Sequence, residues 1–217
     1  MKRGFFNLKN KVSPGMFHYN DLAIVLHSEV YEPAEDTFQL LEAIKINKGK
    51  RVFEIGTGCG LIALECCRCG ADVVCSDVNP FAVGLAKRNF LVNNSFLSGS
   101  YDIRLGNLFD VLTFDDKFDI IIFNPPYLPT KSNERVGGSG WFDTATDGGV
   151  AGLKVTKQFI DGLSNHLHKD GCAYFVFSSL SDRKKLETYI SKAGFTAKMV
   201  NSDRYNGEVI DIYCITF

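Results

Sequence analysis

Short apolar runs alternate with amphipathic stretches along most of the chain. The runs are rich in β-branched and aromatic residues, which is typical of strands, and the stretches between them repeat apolar positions with helical spacing. We predict strands over 51–55, 72–76, 101–105, 118–123, 172–178, 196–200 and 209–216, and helices over 61–68, 80–92, 151–166 and 182–192. This alternation indicates an α/β fold in which helices cover both faces of a sheet.

Two segments do not follow the alternation. Residues 1–29 form a polar N-terminal arm, so we expect a single domain over 30–217. Residues 128–149 show no periodicity, but they contain five glycines around Trp141. Structureless loops longer than about 12 to 15 residues are usually functional or disordered. We therefore predict a substrate-binding lid over 128–149.

The composition favours a globular protein and weighs against a nucleic-acid substrate and a membrane span. Of the 217 residues 45% are hydrophobic and 23% charged, which is typical of a globular protein, and the formal net charge is -1 with a pI of about 6.4. A near-neutral protein offers no broad positive field to a nucleic-acid backbone, which weighs against such a substrate. No apolar stretch approaches the ~20 residues that span a bilayer, and the N-terminus lacks a signal-peptide core, so we expect a cytoplasmic protein.

Seven cysteines raise the question of a metal site. Cys66 and Cys69 have the spacing of a CxxC motif, but they fall within a predicted helix, no second such pair follows, and no histidine is nearby in the sequence. We favour the packing of small side chains in a reducing compartment and predict no metal.

The most informative motif, Asn124, Pro125, Pro126 and Tyr127, directly follows the apolar strand 118–123. An amide or exocyclic amine nitrogen is a poor nucleophile because its lone pair is delocalised. The Asn124 side-chain oxygen and the Pro125 carbonyl can each accept one N–H of the target, which leaves that lone pair aimed at an electrophilic methyl group. The prolines fix the turn, and the Tyr127 ring offers a face for a flat amide or base. The motif predicts N-methylation of a planar nitrogen.

A second motif, EIGTGCG at 54–60, ends the first strand of the predicted sheet and opens a helix. Its glycines allow a ligand to approach the backbone, but position 61, where a dinucleotide motif has its third glycine, is Leu61, so NAD is the weaker interpretation. Glu54 suits the cationic amino-acid end of S-adenosylmethionine better than a pyrophosphate. Asp77 ends the next strand, where an acid can accept both ribose hydroxyls. Together with Asn124, these residues predict one site at the carboxyl edge of the sheet.

These two motifs, with VYEPAEDTF at 30–38, resemble class I S-adenosylmethionine-dependent methyltransferases. Within that class the chain resembles the eukaryotic and archaeal branch of the HemK-like glutamine N5-methyltransferases, and the similarity covers nearly all of 30–217. DGGVAGL at 147–153 is similar to the family's glycine-rich entry to the helix after the catalytic strand. The resemblance implies a Rossmann-like, doubly wound, mostly parallel seven-stranded sheet with an antiparallel last strand. Without it, 30–38 is an ordinary helix start with Glu35 and Asp36 in the first turn.

The resemblance also implies roles for individual residues. Asn107 stands where the family frequently has an aspartate, but its side-chain oxygen can still accept from the adenine amino group. The residues implied to bind S-adenosyl-L-methionine are Thr37, Glu54, Gly56, Gly58, Asp77, Asn107, Leu108 and Asn124, and those implied to act on the target amide are Asn124, Pro125 and Tyr127.

The implied reaction transfers the sulfonium methyl to the glutamine side-chain nitrogen in the Gly-Gly-Gln loop of a class I translation release factor. Members of this branch often pair with a small zinc-binding activator subunit that adds a strand to the sheet. Residues 71–76 are apolar and fit either a sheet edge, where such a partner would bind, or the middle of the sheet.

Two other functions stay open at this point. An N-methyltransferase acting on an exocyclic amine of adenine or guanine in RNA or DNA would use the same turn, because a flipped base resembles a glutamine amide. The near-neutral charge and the motif at 30–38 favour the protein substrate. The other alternative is a non-catalytic subunit that binds the cofactor or a partner, and the intact set of Asn124, Pro125 and Tyr127 argues against it.

Overall fold

Strands and helices alternate through the part of the chain that the computed structural model describes, residues 15–128, 140–149 and 151–217. The strands are β1 (Met16–Tyr19), β2 (Leu22–Val25), β3 (Arg51–Ile55), β4 (Asp72–Asp77), β5 (Tyr101–Leu105), β6 (Phe118–Phe123), β7 (Leu167–Ser178), β8 (Thr196–Tyr205) and β9 (Glu208–Thr216). The helices are α1 (Glu35–Ala43), α2 (Leu61–Arg68), α3 (Pro80–Val92), α4 (Trp141–Thr146), α5 (Lys154–His166) and α6 (Arg183–Lys192). Within these residues no helix is both long and apolar enough to cross a membrane.

Seven of the strands form one sheet in the order β5-β4-β3-β6-β7-β9-β8. β5, β4, β3, β6 and β7 are parallel, whereas β9 runs antiparallel to both of its neighbours. The predicted mostly parallel sheet with an antiparallel last strand is therefore confirmed. β4 pairs on both sides, with β3 and β5, so the interior placement of residues 71–76 is correct and the edge placement is wrong.

The sheet residues alternate between two apolar cores, one on each face. Val52, Ile120 and Ile122 pack into the core beneath α1, α2 and α3, and Phe53 and Ile121 pack into the core beneath α5 and α6. Because successive side chains of a strand point to opposite faces, a strand that is covered on both sides needs apolar residues at every position. This requirement explains the continuous apolar runs in the sequence. Because the strands that contain these runs are parallel, the turns that follow them lie at one edge of the sheet.

A small antiparallel hairpin of β1 and β2 precedes the main sheet, where the sequence analysis assigned no strand. Leu22 is fully buried in the core beside α3. The backbone of β2 is bonded by the side chains of Asn89, on α3, and Asn93, the residue that directly follows α3. The Asn89 amide accepts from the Val25 N–H at 2.9 Å and donates to the Val25 carbonyl at 3.0 Å. Two asparagine side chains thus replace a neighbouring strand, which no local pattern in residues 15–25 could indicate.

Helix α4 lies within 128–149, where the sequence predicted a loop without regular structure. The predicted strands and helices themselves differ from the observed ones at their ends. α5 begins at Lys154 instead of 151, and β8 extends to Tyr205 instead of 200. β8 and β9 form a tight hairpin through Asn206 and Gly207, whose φ angles are 47° and 93°. Two left-handed residues match the twist of a two-residue hairpin, and Asn-Gly is its strongest local signal. The sequence contained that signal, and our prediction of β8 missed it.

Candidate active site

One cavity of about 230 Å³ lies over the carboxyl ends of β3, β4 and β6. Helix α4 and the start of α1 complete its wall. All ten residues that the sequence analysis singled out line this cavity, namely Thr37, Glu54, Gly56, Gly58, Asp77, Asn107, Leu108, Asn124, Pro125 and Tyr127. The fold therefore brings together residues that are up to 90 positions apart in the chain.

The loop between β3 and α2 presents backbone to the cavity. Gly56, Gly58 and Gly60 have φ angles of 66°, 57° and 86°, which favour glycine over any other residue. A Cβ atom on Gly60 would lie 3.2 Å from the Cβ of Ala86 on α3, so this glycine also allows the helix to pack closely. The resulting surface has few side chains and fits a ligand that must approach the main chain.

Asp77 at the end of β4 holds this loop in place. Its carboxylate accepts from the Gly58 N–H at 2.8 Å and from the Asn79 N–H at 2.9 Å. Burial raises the pKa of Asp77, although the backbone hydrogen bonds act in the opposite direction. The same side chain lines the cavity, so a ligand there meets a carboxylate whose position is already fixed.

Glu54 is buried at the end of β3, with 3% of its surface exposed. One carboxylate oxygen accepts from the Thr57 hydroxyl at 2.5 Å and from the Ala63 N–H, in the first turn of α2, at 3.1 Å. Burial raises the pKa of Glu54 to about 8, and the two hydrogen bonds only partly offset this rise. In the absence of a cationic ligand, Glu54 therefore retains its proton at neutral pH.

This shift predicts a pH dependence of stability. Between the ordinary pKa of 4.5 and the folded value of about 8, the folded protein holds a proton that the unfolded chain has released. The free energy of unfolding of the cofactor-free protein should therefore fall by a few kcal/mol as the pH rises through this range. In Glu54→Gln we expect a flatter decline, measured by urea unfolding at several pH values. Parallel curves for the two proteins would assign the dependence to other groups.

The Asn-Pro-Pro-Tyr turn after β6 carries an unsatisfied acceptor. The Asn124 Nδ2 donates to Asp36 Oδ2 at 2.9 Å, and the Tyr127 hydroxyl donates to the same oxygen at 3.1 Å. Asn124 Oδ1 is buried and has no hydrogen-bond partner among the described residues. A buried acceptor without a partner is costly unless a ligand supplies the donor. Asp36, which the sequence analysis treated only as a helix-start residue, is the functional neighbour it missed.

Gly148 and Gly152, from the glycine-rich segment, pack against the backbone of this turn. A Cβ atom on Gly148 would lie 2.9 Å from the Pro126 carbonyl oxygen, and one on Gly152 would lie 2.5 Å from the Tyr127 carbonyl oxygen. The Ser181 hydroxyl donates to that same Tyr127 carbonyl at 3.3 Å. These contacts give a physical reason for the glycines, because any side chain at 148 or 152 would displace the turn.

The predicted lid over 128–149 is described only in part. Gly137 and Gly138 lie outside the described residues. Of the remainder, α4 contributes Trp141 and residues 144–146 to the cavity wall, and its end is joined to the turn by a bridge between Leu128 and Asp147. The described part of this segment thus borders the site, and its movement as a lid stays a prediction.

Comparisons with known proteins agree with this geometry. The model of the Methyltransferase small domain family matches residues 31–139. A putative protein N5-glutamine methyltransferase of Methanocaldococcus jannaschii is 40% identical over 179 residues, which cover 82% of this chain and 87% of that protein. The eRF1 methyltransferase catalytic subunit of Schizosaccharomyces pombe is 30% identical over 215 residues, covering 85% and 87%. In a solved E. cuniculi Mtq2-Trm112 complex, one chain superposes with a TM-score of 0.65 at 23% identity, covering 87% of this chain and 98% of that one.

A mostly parallel sheet with a glycine loop after its first strand, an acid at the end of the second and Asn-Pro-Pro-Tyr after the fourth defines a class I S-adenosylmethionine-dependent methyltransferase. The two relatives identify the family within this class. The chain belongs to the protein N5-glutamine methyltransferases, and the resemblance drawn from its sequence is confirmed.

Proposed function

We propose that this protein methylates the side-chain amide nitrogen of the glutamine in the Gly-Gly-Gln loop of a class I translation release factor, in the cytoplasm. The observation that carries the proposal is the buried Asn124 Oδ1, which has no partner among the described residues and borders the cavity. A primary amide supplies the N–H donor that this oxygen requires. The name of the fission yeast relative, an eRF1 methyltransferase catalytic subunit, supports this choice of substrate.

In this proposal the turn after β6 orients the target amide. Asn124 Oδ1 accepts one N–H and the Pro125 carbonyl accepts the other. The Tyr127 ring, held through its hydroxyl by Asp36, supports the plane of the amide. The nitrogen lone pair then points to one side, and the surplus proton passes to water. Catalysis of this kind depends on positioning, which can account for a large part of a rate enhancement.

The other side of the cavity would hold the cofactor. Gly56 and Gly58 let it approach the backbone, Asp77 is placed to accept ribose hydroxyls, and Glu54 and Thr37 face its amino-acid end, with Asn107 and Leu108 beside its adenine. When bound, S-adenosylmethionine supplies an electrophilic methyl group on a cationic sulfur. The buried carboxyl of Glu54 fits the cationic amino group at the amino-acid end, because a nearby cation favours the ionised form of an acid.

The first experiment offers labelled S-adenosylmethionine with the release factor of the same organism, a Gly-Gly-Asn version of that factor, and total RNA. We expect label on the natural release factor alone. Label on RNA without label on the factor would replace the proposal with a nucleic-acid N-methyltransferase. Cofactor binding without transfer to any of the three, with an activator subunit present, would support the non-catalytic alternative.

We also propose a small zinc-binding activator subunit as partner, docked at the β5 edge of the sheet. β5 pairs only with β4 among the described strands, so its other edge has free backbone groups. Exposed apolar side chains lie on β5, at 37% for Tyr101 and 58% for Leu105, and on the two elements that precede it in the chain, at 70% for Leu91 of α3 and 46% for Phe96 of the following 3-10 turn. A partner that adds a strand and covers apolar residues fits such a surface.

Leu105→Glu is expected to weaken binding of the activator at least about 10-fold, because it places a charge on the proposed docking strand in place of an exposed apolar side chain. The matched control is Phe114→Glu, since Phe114 is also apolar and exposed, at 80%, but belongs to the connection between β5 and β6. Affinity is measured by titration with the purified activator. Equal effects of the two substitutions would contradict docking at β5.

A further inference from the structure

We infer that Asp36 is a positioning residue that determines which way the Asn124 amide points. Asp36 is the second residue of α1 and is 4% exposed. Its Oδ2 accepts from the Asn124 Nδ2 at 2.9 Å, across 88 residues of sequence. This inference rests on the proposed role of Asn124 in orienting the target.

The direction follows from the chemistry of the two side chains. A carboxylate only accepts hydrogen bonds, whereas a primary amide has one donor end and one acceptor end. With its nitrogen bonded to Asp36, Asn124 can present only its oxygen to the cavity. This agrees with the buried Oδ1, which none of the described residues bonds. A reversed amide would set its oxygen against a carboxylate and its NH₂ against the N–H groups of the target. Asp36 thus determines that Asn124 presents its acceptor end, and not its donor end, to the cavity.

The Asp36 carboxylate is itself held from several sides. Its Oδ1 accepts from the Thr37 N–H at 2.7 Å, and the Tyr31 hydroxyl lies 3.3 Å and 3.4 Å from the two oxygens. Burial and the charge of Asp36 raise the pKa of Tyr31 and of Tyr127 above the ordinary value, so both phenols remain donors at neutral pH. A carboxylate that is held in this way keeps an acceptor oxygen fixed beside the Asn124 amide.

This arrangement connects the motif at 30–38 with the turn at 124–127. The first motif supplies the carboxylate and one tyrosine, and the second supplies the amide and the other tyrosine. The motif that carried the family resemblance therefore has a role in orienting the target, beyond starting a helix and bordering the cofactor.

The test is a double-mutant cycle at positions 36 and 124. Asp36→Asn should lower kcat about 10-fold to 100-fold, because the amide at 124 loses its preferred direction, and should leave the KM for S-adenosylmethionine within about a factor of three. Asn124→Asp alone should be at least as damaging, since two carboxylates would then face each other. The double variant D36N/N124D restores a donor-acceptor pair with an oxygen toward the cavity. We expect it to recover at least about 10-fold in kcat over D36N.

A structural role for Asp36 would not produce this recovery. Binding of S-adenosylhomocysteine, measured by calorimetry, checks that each variant is folded, and Glu35→Gln is the neighbouring control because Glu35 is exposed. A double variant no more active than D36N, or a D36N within about 3-fold of the natural protein, overturns the inference. Asn124→Ala is assayed beside them. If Asn124→Ala retains full activity, the proposed orienting role of Asn124 is wrong. If Asn124→Ala loses activity while D36N remains active, only the role of Asp36 is wrong.

Discussion

Replacing Asn124 by alanine should lower the rate of methyl transfer about 10²-fold to 10³-fold while the affinity for the cofactor changes little. The substitution removes the one buried acceptor that faces the cavity without a partner among the described residues. The target amide then loses the hydrogen bond that orients it, and its nitrogen lone pair remains delocalised. The glycine loop and Asp77, which border the other part of the cavity, keep their own contacts.

Single-turnover transfer and binding of S-adenosylhomocysteine separate these two effects. Asp77→Ala is the contrasting variant, because its carboxylate holds the Gly58 N–H and borders the proposed cofactor site. We expect Asp77→Ala to weaken binding of the cofactor and to slow methyl transfer only because less cofactor is bound. If Asn124→Ala lost binding and transfer in equal measure, Asn124 would belong to the cofactor site and not to the orientation of the target.

The second large effect is expected on stability, in Asn89→Ala. Asn89 is fully buried on α3, and its side chain makes three hydrogen bonds with backbone groups. It accepts from the Val25 N–H, and it donates to the Val25 carbonyl at 3.0 Å and to the Cys59 carbonyl at 2.8 Å. Its loss leaves three buried backbone groups without this partner, which should cost about 3 kcal/mol. For a chain of this size the corresponding decrease in Tm is about 6 to 12 °C.

Thermal and urea unfolding measure this decrease. Asn94→Ala is the matched control, since Asn94 begins the short 3-10 turn just after α3 and its side chain is exposed. A loss in Asn89→Ala no larger than in the control would mean that the hairpin of β1 and β2 is held by its apolar contacts alone. Because Asn89 also bonds the Cys59 carbonyl in the glycine loop, we expect cofactor binding to weaken together with stability.

Much of the main sheet could be predicted because its pattern is local. β3, β5, β6 and α3 have the predicted limits, and α3 begins with Asn79 as its N-cap and Pro80 in its first turn. A strand that is covered on both faces must be apolar at successive positions, and a proline or an asparagine at a helix start acts within one turn. Such signals depend on neighbouring residues, so a single sequence is sufficient to read them.

The ten residues singled out for the site were found for a related reason. Nine of them lie at or just after the ends of strands, and parallel strands bring their carboxyl ends to one edge whatever their order in the sheet. The tenth, Thr37 on α1, was implied only by the family resemblance. Residues on other elements could not be found in this way. Asp36 lies on α1, and its role depends on Asn124, 88 positions later, being folded against it.

From its sequence alone this chain could be recognised as an α/β methyltransferase with a site made of a glycine loop, an acid and an Asn-Pro-Pro-Tyr turn. The tertiary structure was needed to show that β5 and not β4 forms this edge of the sheet, that the side chains of Asn89 and Asn93 bond the backbone of β2, and that Asp36 is hydrogen-bonded to Asn124. Periodicity and turn chemistry act over a few residues, whereas sheet order and the pairing of buried polar groups depend on segments that meet only when the whole chain packs.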